Sequence, residues 1–157
     1  MRAFLWNIFL AAVWTAAWGG FTLLNLAVGF VLGYAVLSLG GDLFGSRSYS
    51  ARLPRLIEFL LYFAWEVLVA NLRLAYDVIT PRHRMRPGVI AVPLEAETDG
   101  EILLLASVIT LTPGTLSLDV SPDRKFLYVH SMYILDAEDE KRKLKHGFER
   151  RILALLR

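Results

Sequence analysis

Apolar and polar positions along the chain fall into three regimes. Residues 3–18, AFLWNIFLAAVWTAAW, and residues 21–39, FTLLNLAVGFVLGYAVLSL, are apolar all round, and no charge lies between Arg2 and Asp42. Gly19-Gly20 interrupts the two runs. Each run approaches the ~20 residues that cross a bilayer as a helix. One helix through both would be far too long, so residues 1–40 are expected as a transmembrane helical hairpin. A cleaved signal peptide is the rival for the first run; it would have Arg2 alone as its basic region, and a second apolar run follows at once.

The second regime is amphipathic. After a linker at residues 41–53, the sequence PRLIEFLLYFAWEVLVANLRLAYDVITPRHRMRPG gives a long helix and a basic joint over residues 54–86. Pro54 suits the first turn of a helix, where its missing N–H is not needed. Thr80-Pro81 is the stop signal. At about 100° per residue, Arg55, Glu58, Tyr62, Glu66, Arg73 and Asp77 share one side, roughly a third of the circumference. Asn71 points into the apolar side. Arg73 and Asp77 form an i,i+4 pair.

The third regime, residues 87–157, alternates as a water-soluble domain does. Val89–Glu95 reads as a strand, with Pro93 at an end or edge. Thr98 and Glu101 make a capping box ahead of ILLLASVITL, a helix apolar nearly all round and so expected to be buried. Thr112-Pro-Gly-Thr115 is a type II turn. Thr115–Val120 and Lys125–Ser131 read as strands joined by the turn Ser121–Arg124. A last helix runs from Asp136 to the end, with Leu144, Phe148, Ile152 and Leu155 on one face and lysines and arginines opposite. The order β-α-β-β-α is a split β-α-β unit without its final strand, a small α+β domain of ferredoxin-like type.

Charge decides sidedness. The 157 residues carry a formal net charge of +2, but all charge beyond Arg2 and Asp42 starts at Arg47. Hydrophobic content of 55% and a mean hydropathy of +0.46 fit a membrane piece followed by a polar piece, not a nucleic-acid binder. Arg47 and Arg52 precede the long helix and Arg55 opens it; Arg82, Arg84 and Arg86 follow it and suit lipid headgroups. The positive-inside rule puts both clusters in the cytoplasm. Two spans followed by an in-plane helix, its polar stripe in the headgroups and the rest buried, satisfy it, with the C-terminal domain cytoplasmic. A third span does not, and would set Glu66 near mid-bilayer at about 2.5–3.5 kcal/mol.

Candidate chemistry is sparse. The sequence has no cysteine, so disulfides and thiolate chemistry are excluded. His83, His130 and His146 lack metal-ligand spacing. Ser107, His130 and Asp119 can be drawn as a triad, but no G-x-S-x-G elbow accompanies them, and no phosphate loop is present. No cofactor, metal or catalytic residue is expected. Asn25, Gly29 and Gly33 recur every fourth residue on the second apolar run, a small-residue seam for close helix packing, either within the hairpin or onto a larger partner.

The motifs ANLRLAYDVI (70–79), PGVIAVPLE (87–95), LLLASVITLTPGTLSLDVSPD (103–123) and LYVH (127–130), behind an apolar hairpin, resemble the E subunits of the Mrp-type multisubunit cation/proton antiporters of bacteria. The ITLTPGTLSLDV run is the specific part. The resemblance implies an accessory, non-enzymatic subunit of a multi-pass complex in the bacterial plasma membrane that exchanges Na⁺ or K⁺ for H⁺. Its partners would be the other Mrp subunits and the bilayer. Within that picture Glu66, Arg73 and Asp77 are the ion-path candidates. The alternative is a stand-alone membrane-anchored adaptor whose α+β domain binds a protein.

Overall fold

The structure, a computed structural model, describes residues 2–40, 47–80 and 85–157. Its contacts divide the chain into two units, residues 1–54 and 55–157.

In the first unit, α1 (Arg2–Ala17) and α2 (Leu23–Leu39) form a hairpin. Gly19 opens the turn with a φ of +72°, which a side chain would resist. The Thr22 hydroxyl caps α2 by accepting the N–H of Asn25. Turn and cap take residues 18–22 out of the helices. The helices are left with 16 and 17 residues, about 24–26 Å at 1.5 Å per residue. They are thus shorter than the spans expected, and no helix among the described residues is long and apolar enough to cross a membrane.

Small residues close the hairpin. Ala3, Asn7, Ala11 and Thr15 recur every fourth residue on α1 and are buried, as are Gly29, Gly33 and Leu37 on α2. A β-carbon at Gly29 would lie 3.0 Å from the Ala11 backbone, and one at Gly33 would collide with the Asn7 carboxamide. The two backbones therefore touch along this seam. The outer surface is apolar, with Leu5, Phe9, Val31 and Leu39 exposed.

Helix α3 runs over Arg47–Ile79. It starts two turns before Pro54, so residues 47–53 are helical where a linker was expected; residues 41–46 lie outside the described residues. Pro54 removes one helical hydrogen bond, and the helix continues through it. Its first two turns belong to the hairpin unit: Tyr49 accepts a 2.8 Å hydrogen bond from the Asn7 amide and stacks edge-on with Tyr34.

The second unit has the expected β-α-β-β-α order. β1 (Gly88–Pro93), α4 (Asp99–Leu111), β2 (Thr115–Val120) and β3 (Phe126–Ser131) are followed by a continuous helical run. That run is α5 (Ala137–Lys143), a π-helical stretch (Leu144–Glu149) and α6 (Arg150–Leu156). The sheet order is β1-β3-β2 with both pairings antiparallel, so β1 and β2 run parallel on either side of β3. The capping box at Thr98 and Glu101 is formed in both directions. Gly114, at φ +91°, takes the left-handed position that the Thr112–Thr115 turn requires.

One face of the sheet carries the core: Ile90, Val92, Leu127 and Val129 pack on Leu105, Val108 and Ile109 of α4 and on Leu144, Phe148 and Ile152. Phe59 of α3 joins them. Strand alternation sends Val89, Leu116, Phe126 and Tyr128 to the other face, where they remain exposed.

Glu101 also ties the last residue of the chain into the domain. Arg157 bonds its carboxylate at 3.0 and 3.3 Å, and the N–H groups of Glu97 and Thr98 donate to it at 2.9 and 3.2 Å. Arg157 first, then these N–H groups, hold the carboxyl down at about 2. An unfolded glutamate titrates near 4.3. The stabilisation is therefore complete above about pH 4.3 and is lost as pH falls through about 2. A Glu101→Gln chain should unfold at lower temperature than wild type at neutral pH, and the gap should close towards pH 2. Thermal unfolding of the full chain in detergent across that range checks it.

Candidate functional site

The site is the groove where the polar side of α3 meets the C-terminal helical run. Amphipathicity divides α3 cleanly. Ile57, Leu61, Trp65, Leu68, Leu72 and Ile79 are exposed on one side. Arg55, Glu58, Phe59, Tyr62, Arg73 and Asp77 meet the domain on the other. The polar stripe, expected to lie in headgroups, thus packs on the domain along its length.

Arg151 clamps the near end. Its guanidinium lies 4.0 Å above the Tyr62 ring, its Nε is 3.5 Å from Glu58, and its Nη1 donates to the carbonyls of His146 and Gly147 at 3.0 Å each. Both carbonyls belong to the π-helical stretch that immediately precedes α6. Gly147 lets the helices approach, since a β-carbon there would collide with the Tyr62 hydroxyl. Arg55 adds a 2.9 Å bond to the Ala154 carbonyl.

Further along lie two adjoining cavities of about 620 and about 550 Å³ that share Arg73, Tyr133, Glu140 and Lys143. Arg73 is exposed, with its guanidinium 5.4 Å from the Tyr133 ring centre. Asp77 is 2% exposed. Burial, then the neighbouring Asp77 carboxylate, push the Tyr133 hydroxyl above its ordinary value. Glu66 is half-buried and lines the second cavity with Tyr62 and His146. The three residues singled out on α3 therefore line one groove, with Arg73 and Asp77 meeting at Tyr133 and Glu66 on the Tyr62 side.

The other candidates are dispersed. Gly29 and Gly33 lie inside the hairpin seam, and the Asn25 amide donates to the Gly20 carbonyl at 2.9 Å, bracing the turn. Arg86 is exposed, and its backbone pairs with Met132 and Ile134. Arg82, His83 and Arg84 lie outside the described residues. Ser107 is on α4, bonded to the Leu103 carbonyl, while His130 faces the side of the sheet away from α4, so the drawn triad does not assemble.

Four contributors are not singled out by the sequence. They are Tyr133, Arg151, Gly147 and Glu149, the last buried and accepting the N–H groups of Glu95 and Ala96 at 2.6 and 3.0 Å. The signal available for Arg151 was its place on the otherwise solvated face of the last helix.

Residues 7–155 match the family described as Na⁺/H⁺ ion antiporter subunit. The chain belongs to this family, one of transport proteins rather than classical enzymes. It is 34% identical to the E subunit of the Na⁺/H⁺ antiporter of Alkalihalophilus pseudofirmus, over 95% of this chain and 94% of that one. It is 35% identical to the corresponding E subunit of Bacillus subtilis, over 94% of each. Among solved structures, a chain of the Mrp complex from a Dietzia species superposes with a TM-score of 0.51 at 32% identity, covering 66% of this chain and 96% of that chain. A chain of an archaeal respiratory membrane complex, the membrane-bound sulfane sulfur reductase, shares the fold at a TM-score of 0.54.

Proposed function

We propose that the chain is an accessory subunit of a multisubunit Na⁺(K⁺)/H⁺ antiporter of the bacterial plasma membrane, which it helps to assemble alongside the other Mrp subunits. In this reading the hairpin is embedded in the bilayer and residues 55–157 lie on the cytoplasmic side, with α3 in the membrane plane. The observation that carries it is the two-sidedness of α3. Its charged side is engaged by the α+β domain from Arg55 to Asp77, and its leucines and Trp65 face outwards. A helix so fastened to a charged domain is unsuited to the bilayer core, whereas its free side matches the headgroup–acyl boundary. The two short helices of the hairpin fit a locally thinned bilayer, with Trp18 and Phe21 at its far surface.

Glu66, Arg73 and Asp77 serve this assembly. Glu66 borders no ion route, so Glu66→Gln should keep exchange within about twofold of wild type with an unmoved pH optimum. Arg73→Glu should reduce assembly, because it removes the cation above Tyr133, worth about 0.5–1 kcal/mol, and sets a second carboxylate beside Asp77. Everted-vesicle exchange assays, normalised to assembled complex, check both. Co-purification from native membranes tests the reading itself. A tagged chain should bring several polytopic subunits with it; a chain that travels only with a soluble protein would be the stand-alone adaptor instead.

A further inference from the structure

We infer that the cleft at Asp77 receives a basic side chain, lysine or arginine, from another protein of the complex; this rests on the antiporter-subunit reading above. Asp77 is 2% exposed and lines the larger cavity, yet among the described residues its Oδ2 has no hydrogen-bond partner. A buried carboxylate without a countercharge is strongly unfavourable. The described cations of the cleft are committed elsewhere: Lys143 is 2.8 Å from Asp139 and 3.6 Å from Glu140, and Arg73 covers the Tyr133 ring. Arg86 is exposed. Asp139 is paired with Arg142 as well, at 3.4 Å, whereas among the described residues no lysine or arginine pairs with Asp77.

The surroundings say what brings that charge. Leu135 lines the same cleft and is 79% exposed, and Met85, half-buried, lines it as well. A desolvated charge beside exposed apolar surface is the kind of centre on which interface binding energy concentrates. A lysine or arginine answers both needs. Its head donates to Oδ2, and its aliphatic stem packs on Leu135 and Met85. A bare alkali ion would use the oxygens and leave the apolar surface uncovered.

The test uses the full chain, both within the native complex and expressed alone in detergent. Asp77→Asn keeps the shape of the side chain and removes the charge. Losing one partner of a buried ion pair should weaken retention in the purified complex roughly a hundredfold. The same change should leave the melting temperature of the chain alone unchanged or raised, because there it removes an uncompensated charge. A photo-crosslinking residue at Leu135 should capture one neighbouring subunit, and reversing a captured lysine or arginine to glutamate should rescue Asp77→Lys.

Unchanged retention of Asp77→Asn would overturn the inference and leave the antiporter-subunit reading standing. Rescue by reversal at Arg82 or Arg84 of the same chain would also overturn it. So would a melting temperature of the wild-type chain that rises in NaCl or KCl over choline chloride and loses that rise in Asp77→Asn, which would make the cleft an alkali-ion site. If wild type itself brings no polytopic protein with it, the antiporter-subunit reading falls and the inference with it.

Discussion

A Gly33→Leu chain is expected to leave the complex almost entirely, with less than about a tenth of the wild-type amount recovered in assembled antiporter. Even a β-carbon at this position collides with the Asn7 carboxamide, and leucine adds three more carbons. Overpacking of this kind costs about 1–3 kcal/mol. Asn7 is fully buried and donates to Tyr49. Displacing it forfeits that bond and strands its amide, at about 1–3 kcal/mol more. The hairpin should therefore open rather than adjust. Gly100→Leu is the matched control, since a β-carbon there meets nothing within 4 Å. Quantifying the tagged chain in purified complex, variant against control, decides. A Gly33→Leu complex recovered like wild type would mean that the seam does not hold the hairpin.

The second large effect lies on the outer side of α3. Leu61 and Leu68 are 68% and 51% exposed, so replacing both with glutamate removes little from the folded domain. If the bilayer or a membrane partner covers them, each loses about 1.5–3 kcal/mol of burial, or roughly 3–6 kcal/mol together. The double variant should fall out of the complex, although the hairpin still holds it in the membrane, while its melting temperature in detergent stays within a few degrees of wild type. Phe59→Ala, on the opposite side of the same helix and 6% exposed, should do the reverse. It should lower domain stability by about 3–5 kcal/mol. A double variant recovered in the complex like wild type would leave the exposed side of α3 without the role assigned to it.

The sequence made local features legible and left long-range ones hidden, for physical reasons. Capping and turn chemistry are carried by neighbouring residues, so Thr98 with Glu101 and Pro113-Gly114 could be read directly, and strand alternation located the core face of the sheet. The Asn25, Gly29, Gly33 spacing gave a packing seam but not its partner, because only the facing residues Asn7 and Ala11 decide that. Periodicity divided α3 into two sides correctly. It assigned the polar side to lipid headgroups, because its true partner, Arg151, is distant in the chain and sits among charges that look solvated. The π-helical stretch at Gly147 breaks the period that sequence reading assumes. Pro54 looked like a helix start, yet the helix already exists there, anchored to the hairpin unit through Tyr49. Tyr133 stands in Ser131–Leu135, a stretch without pattern, and its importance comes wholly from Arg73 and Asp77 across the groove.

Sidedness is the most direct test of α3 as an in-plane helix between membrane and domain. The chain has no cysteine, so a single Glu138→Cys variant gives one reporter on α5, where the native side chain is 75% exposed. Ser121 would serve poorly, being 7% exposed and bonded to Asp123. A membrane-impermeant maleimide should leave the Glu138→Cys chain unlabelled in intact cells and label it fully in everted vesicles. Labelling from outside intact cells would put the domain across the bilayer, make α3 a third span and contradict the account.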